Sequence, residues 1–266
     1  VVPDRAQERR EHSVHTPRRD GARVPGRGVP DALNATPGEP SPKSDRVGRY
    51  RISEIFLSLQ GEGPSAGTPA HFVRLQGCDV GCVWCDTKYS WDASQGRELA
   101  LEAVWEEARA LGEAPMLVVT GGEPLEHPGI VTLLEQAVSR WSRVEVETSG
   151  IGPPPLFREN LFYNVSPKLP SATPNWERTW HHVAAWNAEP NATFKIVVGD
   201  DPDLEDALGL IRTHGIPAAR VMLMPEGLTD EALRRRAVTL AEACKRQGLR
   251  MSPRLHVWMW GARRGV

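Results

Sequence analysis

The sequence predicts an α/β fold built as a parallel (β/α) barrel. From Tyr50 onward, short β-rich apolar runs alternate with stretches of helical periodicity, the pattern of successive βα units. Five polar motifs fall one after another at the carboxyl ends of those runs, the ends that form the active face of a parallel barrel. A chain of 266 residues also has a length at which such barrels form one domain.

Residues 1–48 come first and differ from the rest. They are rich in Pro, Arg, Gly and polar side chains, and Leu33 is their only Leu, Ile, Phe or Met. Such a stretch buries too little apolar surface to offset the entropy of ordering it, so a disordered extension is expected ahead of one domain spanning 49–266. The chain begins with Val and has no Met before Met116, so a translation start nearer Val47 is expected. The first two expected strands are Ile52–Leu59 and His71–Gln76, with Cys78–Thr87 following the second. Glu98–Leu111 is the first expected helix. The strand Met116–Thr120 runs into Gly121-Gly122-Glu123-Pro124 and the helix Ile130–Trp141. Val144–Glu147 leads into Thr148-Ser149-Gly150, and Leu161–Val165 into Ser166-Pro167-Lys168. Thr193–Val198 precedes the helix Asp203–Thr213. Val221–Met224 ends in Pro225-Glu226-Gly227 before the helix Asp230–Gln247. Cys244 recurs with Leu233, Ala237, Leu240 and Ala241 at helical spacing, which predicts a small core residue. His181 and His182 fall in a polar, Trp-containing stretch expected to be an exposed loop.

Composition narrows the function classes. An apolar fraction of 40% with 25% charged residues describes a globular chain with a buried core. A net charge of −2 provides no global basic field for nucleic acid. No apolar run approaches the ~18 residues of a membrane span, and no signal-peptide pattern is present. Of the four cysteines, three lie within eight positions, too close together to staple a fold. Clustered thiols of this kind suggest a reducing compartment, here the cytoplasm, and a metal.

Those three are Cys78, Cys82 and Cys85, spaced C-x₃-C-x₂-C. Thiolates are soft ligands suited to zinc or to an iron–sulfur cluster. A structural zinc site normally closes itself with four ligands, whereas a [4Fe–4S] cluster on three cysteines leaves one iron free for chemistry. A zinc knuckle completed by His remains the alternative. Gly77 and Gly81 let the loop wrap around a cluster-sized object, and Gly121-Gly122 at a strand end lets backbone approach a ligand.

With this spacing, placed after an early strand, the chain resembles the radical S-adenosylmethionine (SAM) superfamily. The resemblance implies an incomplete barrel and a [4Fe–4S] cluster whose open iron is chelated by the amino and carboxylate groups of SAM. An electron cleaves SAM, and the resulting 5′-deoxyadenosyl radical abstracts a hydrogen from substrate. It further implies that Trp84, Asp86, Gly122, Glu147, Thr148, Ser149, Ser166, Pro167, Lys168, Met224, Pro225 and Glu226 line the SAM site.

The segments Leu57-Ser58-Leu59-Gln60-Gly61-Glu62-Gly63-Pro64 and Phe72-Val73-Arg74-Leu75-Gln76-Gly77-Cys78 narrow the resemblance. With Cys85-Asp86-Thr87, Ser166-Pro167-Lys168 and Ser252-Pro253-Arg254-Leu255-His256, they resemble the 7-carboxy-7-deazaguanine synthases of queuosine and 7-deazapurine biosynthesis. That implies ring contraction of 6-carboxy-5,6,7,8-tetrahydropterin with loss of ammonia. The substrate site is then Leu59, Gln60, Gly61, Arg74, Thr120 and His256, with Arg74, Thr120 and His256 in catalytic roles. Arg74 can clamp the carboxylate through a bidentate pair, and His256 can hydrogen-bond or move a proton near neutral pH. Thr87 is the expected Mg²⁺ ligand, a hard oxygen suited to that ion. Also implied are a homodimer, an electron donor of flavodoxin or ferredoxin type, and no nucleic-acid or membrane partner.

The chain runs on past His256, so the terminal-carboxylate role seen in some relatives is not carried over. Arg263 and Arg264 are expected to be a solvated charge pair. Two rivals stand beside this reading. A glycyl-radical-enzyme activase would present a surface to a large protein partner, and a zinc-binding interaction module would be colourless and zinc-loaded.

Overall fold

The computed structural model describes residues 48–261 and 263–266; the expected N-terminal extension, up to residue 47, lies outside the described residues. Nine strands form one sheet: β1 (Arg49–Leu59), β2 (Pro69–Leu75), β3 (Arg97–Ala100), β4 (Met116–Gly121), β5 (Arg143–Thr148), β6 (Leu161–Val165), β7 (Ala192–Val198), β8 (Val221–Pro225) and β9 (Arg250–Met251). Their order is β3-β1-β2-β4-β5-β6-β7-β8-β9. From β2 to β9 every neighbouring pair is parallel. The two edge strands, β3 and β9, are not paired to each other, so the barrel is incomplete. The helices are α1 (Leu101–Ala110), α2 (Ile130–Val138), α3 (Trp176–Trp180), α4 (Val183–Ala188), α5 (Asp201–Thr213), α6 (Asp230–Gln247) and α7 (Leu255–Trp260).

Three expectations are corrected. First, β1 is antiparallel to both β2 and β3 rather than part of a βα repeat. Residues 60–68 join β1 to β2, fewer than the dozen or so a parallel crossover needs. Second, Glu98 does not begin a helix. Residues 97–100 form β3, pairing Tyr50 with Leu99, and Ala100 is extended before α1 starts at Leu101. Third, His181 and His182 form a short turn, His181 exposed as expected, but the stretch around them is helical rather than a loop. It holds α3 and α4, which bury Trp180 and Trp186, and the burial of two indoles outweighs the polar composition. The bounds of α6 match the reading, because Thr229 caps its first turn and Gly248 ends it in a left-handed conformation. Cys244 is buried in the core on that helix.

Alternation along the strands divides their side chains between two environments. Val73, Leu75, Leu117, Val119, Val144, Val146, Phe194 and Ile196 belong to the main core. There they meet the helices, α1 contributing Leu101, Val104, Trp105 and Ala108 at the i, i+3, i+4, i+7 spacing of one face. The alternate positions turn inward. Ala70, Phe72, Met116 and Val118, with Phe56, pack as a second, smaller cluster. One step further along the same strands the inward side chains are Arg74 and Thr120, level with Glu147 and Asn164 on β5 and β6. Among the described residues no helix is long and apolar enough to cross a membrane.

Candidate active site

The inward polar side chains and the loops after the strands enclose a cavity of about 300 Å³. Cys78, Cys82 and Cys85 all line it. The cysteine loop is tied down by backbone bonds from Gly77 to Ser90 (2.7 Å) and Cys78 to Trp91 (3.1 Å). The Thr173 hydroxyl donates to the Val80 carbonyl at 2.7 Å. The Gly121-Gly122 turn packs directly on this loop: Gly122 N–H donates to Leu75 O (3.1 Å) and Glu123 N–H to Gly77 O (2.8 Å). A Cβ on Gly122 would run into the Gly77 carbonyl and Cys78 Cβ. Because the obstacle is backbone, Gly122→Ala is expected to displace the cysteine loop and to give protein that retains less than about half the wild-type iron after reconstitution, read by iron analysis.

The donor set fits a cluster. Three thiols from one loop face the cavity, and thiolates are soft ligands of the kind that hold an iron–sulfur cluster. Burial pushes the Cys78 thiol up to about 11. A cation bound there replaces thiol protons, as metal sites do.

Glu123 is buried and ties the ends of β4 and β5 together. It accepts hydrogen bonds from Thr148 Oγ1 (2.5 Å), Ser149 N (2.7 Å) and Ser149 Oγ (2.6 Å). The two hydroxyls expected to line the SAM site thus spend their protons on Glu123, which leaves them only acceptor capacity for a ligand. Lys168 Nζ donates to Ser166 Oγ at 3.0 Å and sits 5.7 Å from the centre of the Trp84 ring. Met224 and Glu226 reach the cavity, with Glu226 ion-paired to Arg236. Pro167 and Pro225 are buried and are not among the lining residues.

The expected substrate residues face the same space. Gln60 Nε2 and Thr120 Oγ1 donate to the two oxygens of Glu147, at 3.2 and 2.9 Å. Glu147 therefore belongs with those two rather than with Thr148 and Ser149; strand alternation turns it to the other face. Leu59 and Gly61 also line the cavity, and a Cβ on Gly61 would collide with the His256 ring, so glycine there admits His256. Arg74 Nε donates to Glu54 Oε1 at 2.7 Å. Thr87 lines the cavity beside Cys85, its Oγ1 3.4 Å from Cys85 Sγ. Asp86 forms an ion pair with Arg254. Arg263 and Arg264 are both exposed, as expected of a solvated pair, but they are not remote from the site. Both line the cavity, and the Arg264 guanidinium lies 3.5 Å from the centre of the Tyr89 ring.

Sequence reasoning missed a buried ionic junction beneath His256. Glu62 is paired with Lys195 through one oxygen and with Arg254 Nε through the other, at 3.0 Å in the second case. Arg254 Nη1 also donates to the Gly227 carbonyl at 2.7 Å. With Leu255 N–H bonded to Gly61 O (2.9 Å) and Gly63 N–H to Ser252 Oγ (2.8 Å), this junction joins the loop after β1 to the segment after β9. Burial opposes the Glu62 charge, but Lys195 and Arg254 outweigh it and hold the carboxyl far below the usual range. Burial also lowers His256, with Arg254 adding to the effect and Glu62 opposing it, so the ring is neutral at pH 7 and has one donor and one acceptor nitrogen. Lys195 carried a readable signal, a lone cation inside the apolar run Phe194–Val198.

The model of the radical SAM superfamily matches residues 72–240. A 7-carboxy-7-deazaguanine synthase of Pyrobaculum aerophilum is 44% identical over 225 residues, covering 82% of this chain and 97% of the relative. The Escherichia coli K12 protein of the same name is 32% identical over 231 residues, covering 79% and 98%. The crystal structure of QueE from Escherichia coli superimposes with a TM-score of 0.59 at 30% identity, covering 77% of this chain and 93% of that one.

Proposed function

Because the chain belongs to the 7-carboxy-7-deazaguanine synthase family of the radical SAM superfamily, we propose that its cavity holds a cluster, SAM and a carboxylated pterin together. The family reaction is ring contraction of 6-carboxy-5,6,7,8-tetrahydropterin to 7-carboxy-7-deazaguanine with loss of ammonia, and this chain is a radical SAM lyase of that kind. The observation that carries the assignment of residues is that three thiols, Arg74, Thr120 and His256 line one cavity closed on its open side by residues 60–63 and 252–256.

In this reading Cys78, Cys82 and Cys85 hold the [4Fe–4S] cluster. When bound and reduced, the cluster with SAM supplies the hydrogen-abstracting radical. The chain's own residues bind and orient. Arg74 offers its Nη edge to the substrate carboxylate. Gln60 and Thr120, held by Glu147, present polar groups to the ring edge. Neutral His256 accepts or donates one proton there. Ser166, Lys168 and Trp84 support SAM, and Thr87 offers Mg²⁺ one oxygen. A concave cavity of this size suits a small substrate better than the protein partner of a glycyl-radical activase. A cytoplasmic homodimer fed by a flavodoxin- or ferredoxin-type donor completes the proposal.

The test is anaerobic incubation of reconstituted protein with carboxytetrahydropterin, SAM, Mg²⁺ and a reductant. Product formation is expected; SAM cleavage without 7-carboxy-7-deazaguanine would point to another substrate. Thr87→Ala is expected to reduce the stimulation by Mg²⁺ at least severalfold, read as the Mg²⁺ dependence of turnover. An unchanged response removes Thr87 from the metal shell.

A further inference from the structure

We propose that Glu54 and Tyr89 are positioning residues for Arg74, and that Arg264 closes this assembly from the C-terminal segment. The inference rests on the reading that Arg74 binds the substrate carboxylate.

Four separate parts of the chain meet at one carboxylate. Glu54 on β1 and Arg74 on β2 are register partners across the antiparallel pair. Glu54 Oε1 accepts from Arg74 Nε and from the Tyr89 hydroxyl, both at 2.7 Å. Arg264 Nη2 lies 3.4 Å from Glu54 Oε2, while its guanidinium covers the Tyr89 ring. Phe56 and Phe72, the next inward pair, stack at 4.7 Å with planes 4° apart and floor the site, with the Arg74 guanidinium carbon 6.0 Å from the Phe56 ring centre.

This geometry sets the direction of the fork. Glu54 engages the Nε edge of Arg74, and among the described residues the two Nη groups make no hydrogen bond. The pair that remains free is the one that can take a carboxylate bidentately. Tyr89 lies two residues beyond Thr87, so its bond to Glu54 also couples the substrate clamp to the end of the cysteine loop. Burial opposes the charge on Glu54, yet the Tyr89 hydrogen bond and the Arg74 charge hold it below the usual carboxylate range. Burial, with Glu54 beside it, pushes the Tyr89 phenol up to about 12, so it remains a donor throughout the working range. The Arg264 side chain is 55% exposed, so its stacking contributes less than the two short bonds.

The experiment measures KM and kcat for carboxytetrahydropterin at saturating SAM, in wild-type and Arg74→Ala backgrounds, with iron content and SAM cleavage as controls. Tyr89→Phe keeps the ring and removes the hydroxyl. It is expected to raise KM about tenfold with kcat changed less than about threefold, the size of one hydrogen bond to a charged group. Glu54→Gln should act in the same direction. Arg264→Ala should raise KM about threefold, and Arg264→Lys should restore most of that. In the Arg74→Ala background all of these effects are expected to vanish. If Arg74→Ala raises KM but Tyr89→Phe and Glu54→Gln do not, the positioning role falls and the clamp stands. A full Tyr89→Phe effect persisting without Arg74 overturns it too, because the hydroxyl would then act directly. If Arg74→Ala leaves KM unchanged, the clamp itself is wrong and the inference falls with it.

Discussion

Replacing Arg74 with alanine is expected to lower kcat/KM for carboxytetrahydropterin by roughly 10²- to 10³-fold while the protein keeps its iron. Two losses add in that variant. The substrate carboxylate loses a charge-assisted bidentate partner, and Glu54, whose side chain is 15% exposed, loses the cation 2.7 Å away. Truncating one member of a buried, hydrogen-bonded charge pair typically costs about 2–5 kcal/mol, which brackets the stated loss. The cysteine loop makes none of its anchoring bonds to Arg74, so iron content and substrate-free SAM cleavage are expected to be unchanged. Arg74→Lys should fall between the two, since it keeps a charge for Glu54 without a planar fork. Iron loss in Arg74→Ala would contradict the assigned role.

The second large effect is on stability. Glu62→Gln removes the shared carboxylate of Lys195 and Arg254, whose side chains are 6% and 8% exposed, and leaves Lys195 with Glu147 at 4.0 Å and Arg254 with the partly exposed Asp86. Breaking a buried ion pair from one side costs about 3–5 kcal/mol, because an uncompensated charge remains inside. For a domain of this size that corresponds to a fall in Tm of roughly 6–20 °C. The pH dependence has a definite sign. Glu62 is depressed in the folded state, so its contribution is complete above the unfolded carboxylate value of about 4.3 and is lost as pH falls toward its folded value. The Tm of the wild type should therefore drop more steeply between about pH 5 and pH 3 than that of Glu62→Gln. Thermal unfolding of the holoprotein at both pH values checks this, and parallel slopes would show that Glu62 does not carry the linkage. A Glu62→Gln, Lys195→Met double variant should recover part of the loss, since it removes one stranded cation.

The mistakes in reading the elements have specific causes. Glu98–Leu111 carried helical periodicity, but its first residues found an open strand edge at Tyr50, and pairing overrode propensity. The Trp-containing stretch 176–188 gives no helical signal in the sequence because its two helices, of five and six residues, are too short to show a repeating apolar stripe. Adjacency in sequence places Glu147 beside Thr148 and Ser149. A strand sends adjacent side chains to opposite faces, so Glu147 meets Gln60 and Thr120 while Thr148 meets Glu123.

Features that depend on residues close together in the chain are legible without the fold. The cysteine spacing, the glycines that admit a close approach, the strand-end motifs and the helix caps are all of this kind, and they sufficed for fold class and family. The tertiary structure decided what depends on partners far apart. Arg254 meets Asp86 across 168 positions and Glu62 across 192, and Arg264 reaches Glu54 across 210. Charged residues such as these look solvated in a sequence. Only the tertiary fold brings them together, and for Arg254 and Glu62 the reason is that a buried charge is tolerated only where its counter-charge is buried with it.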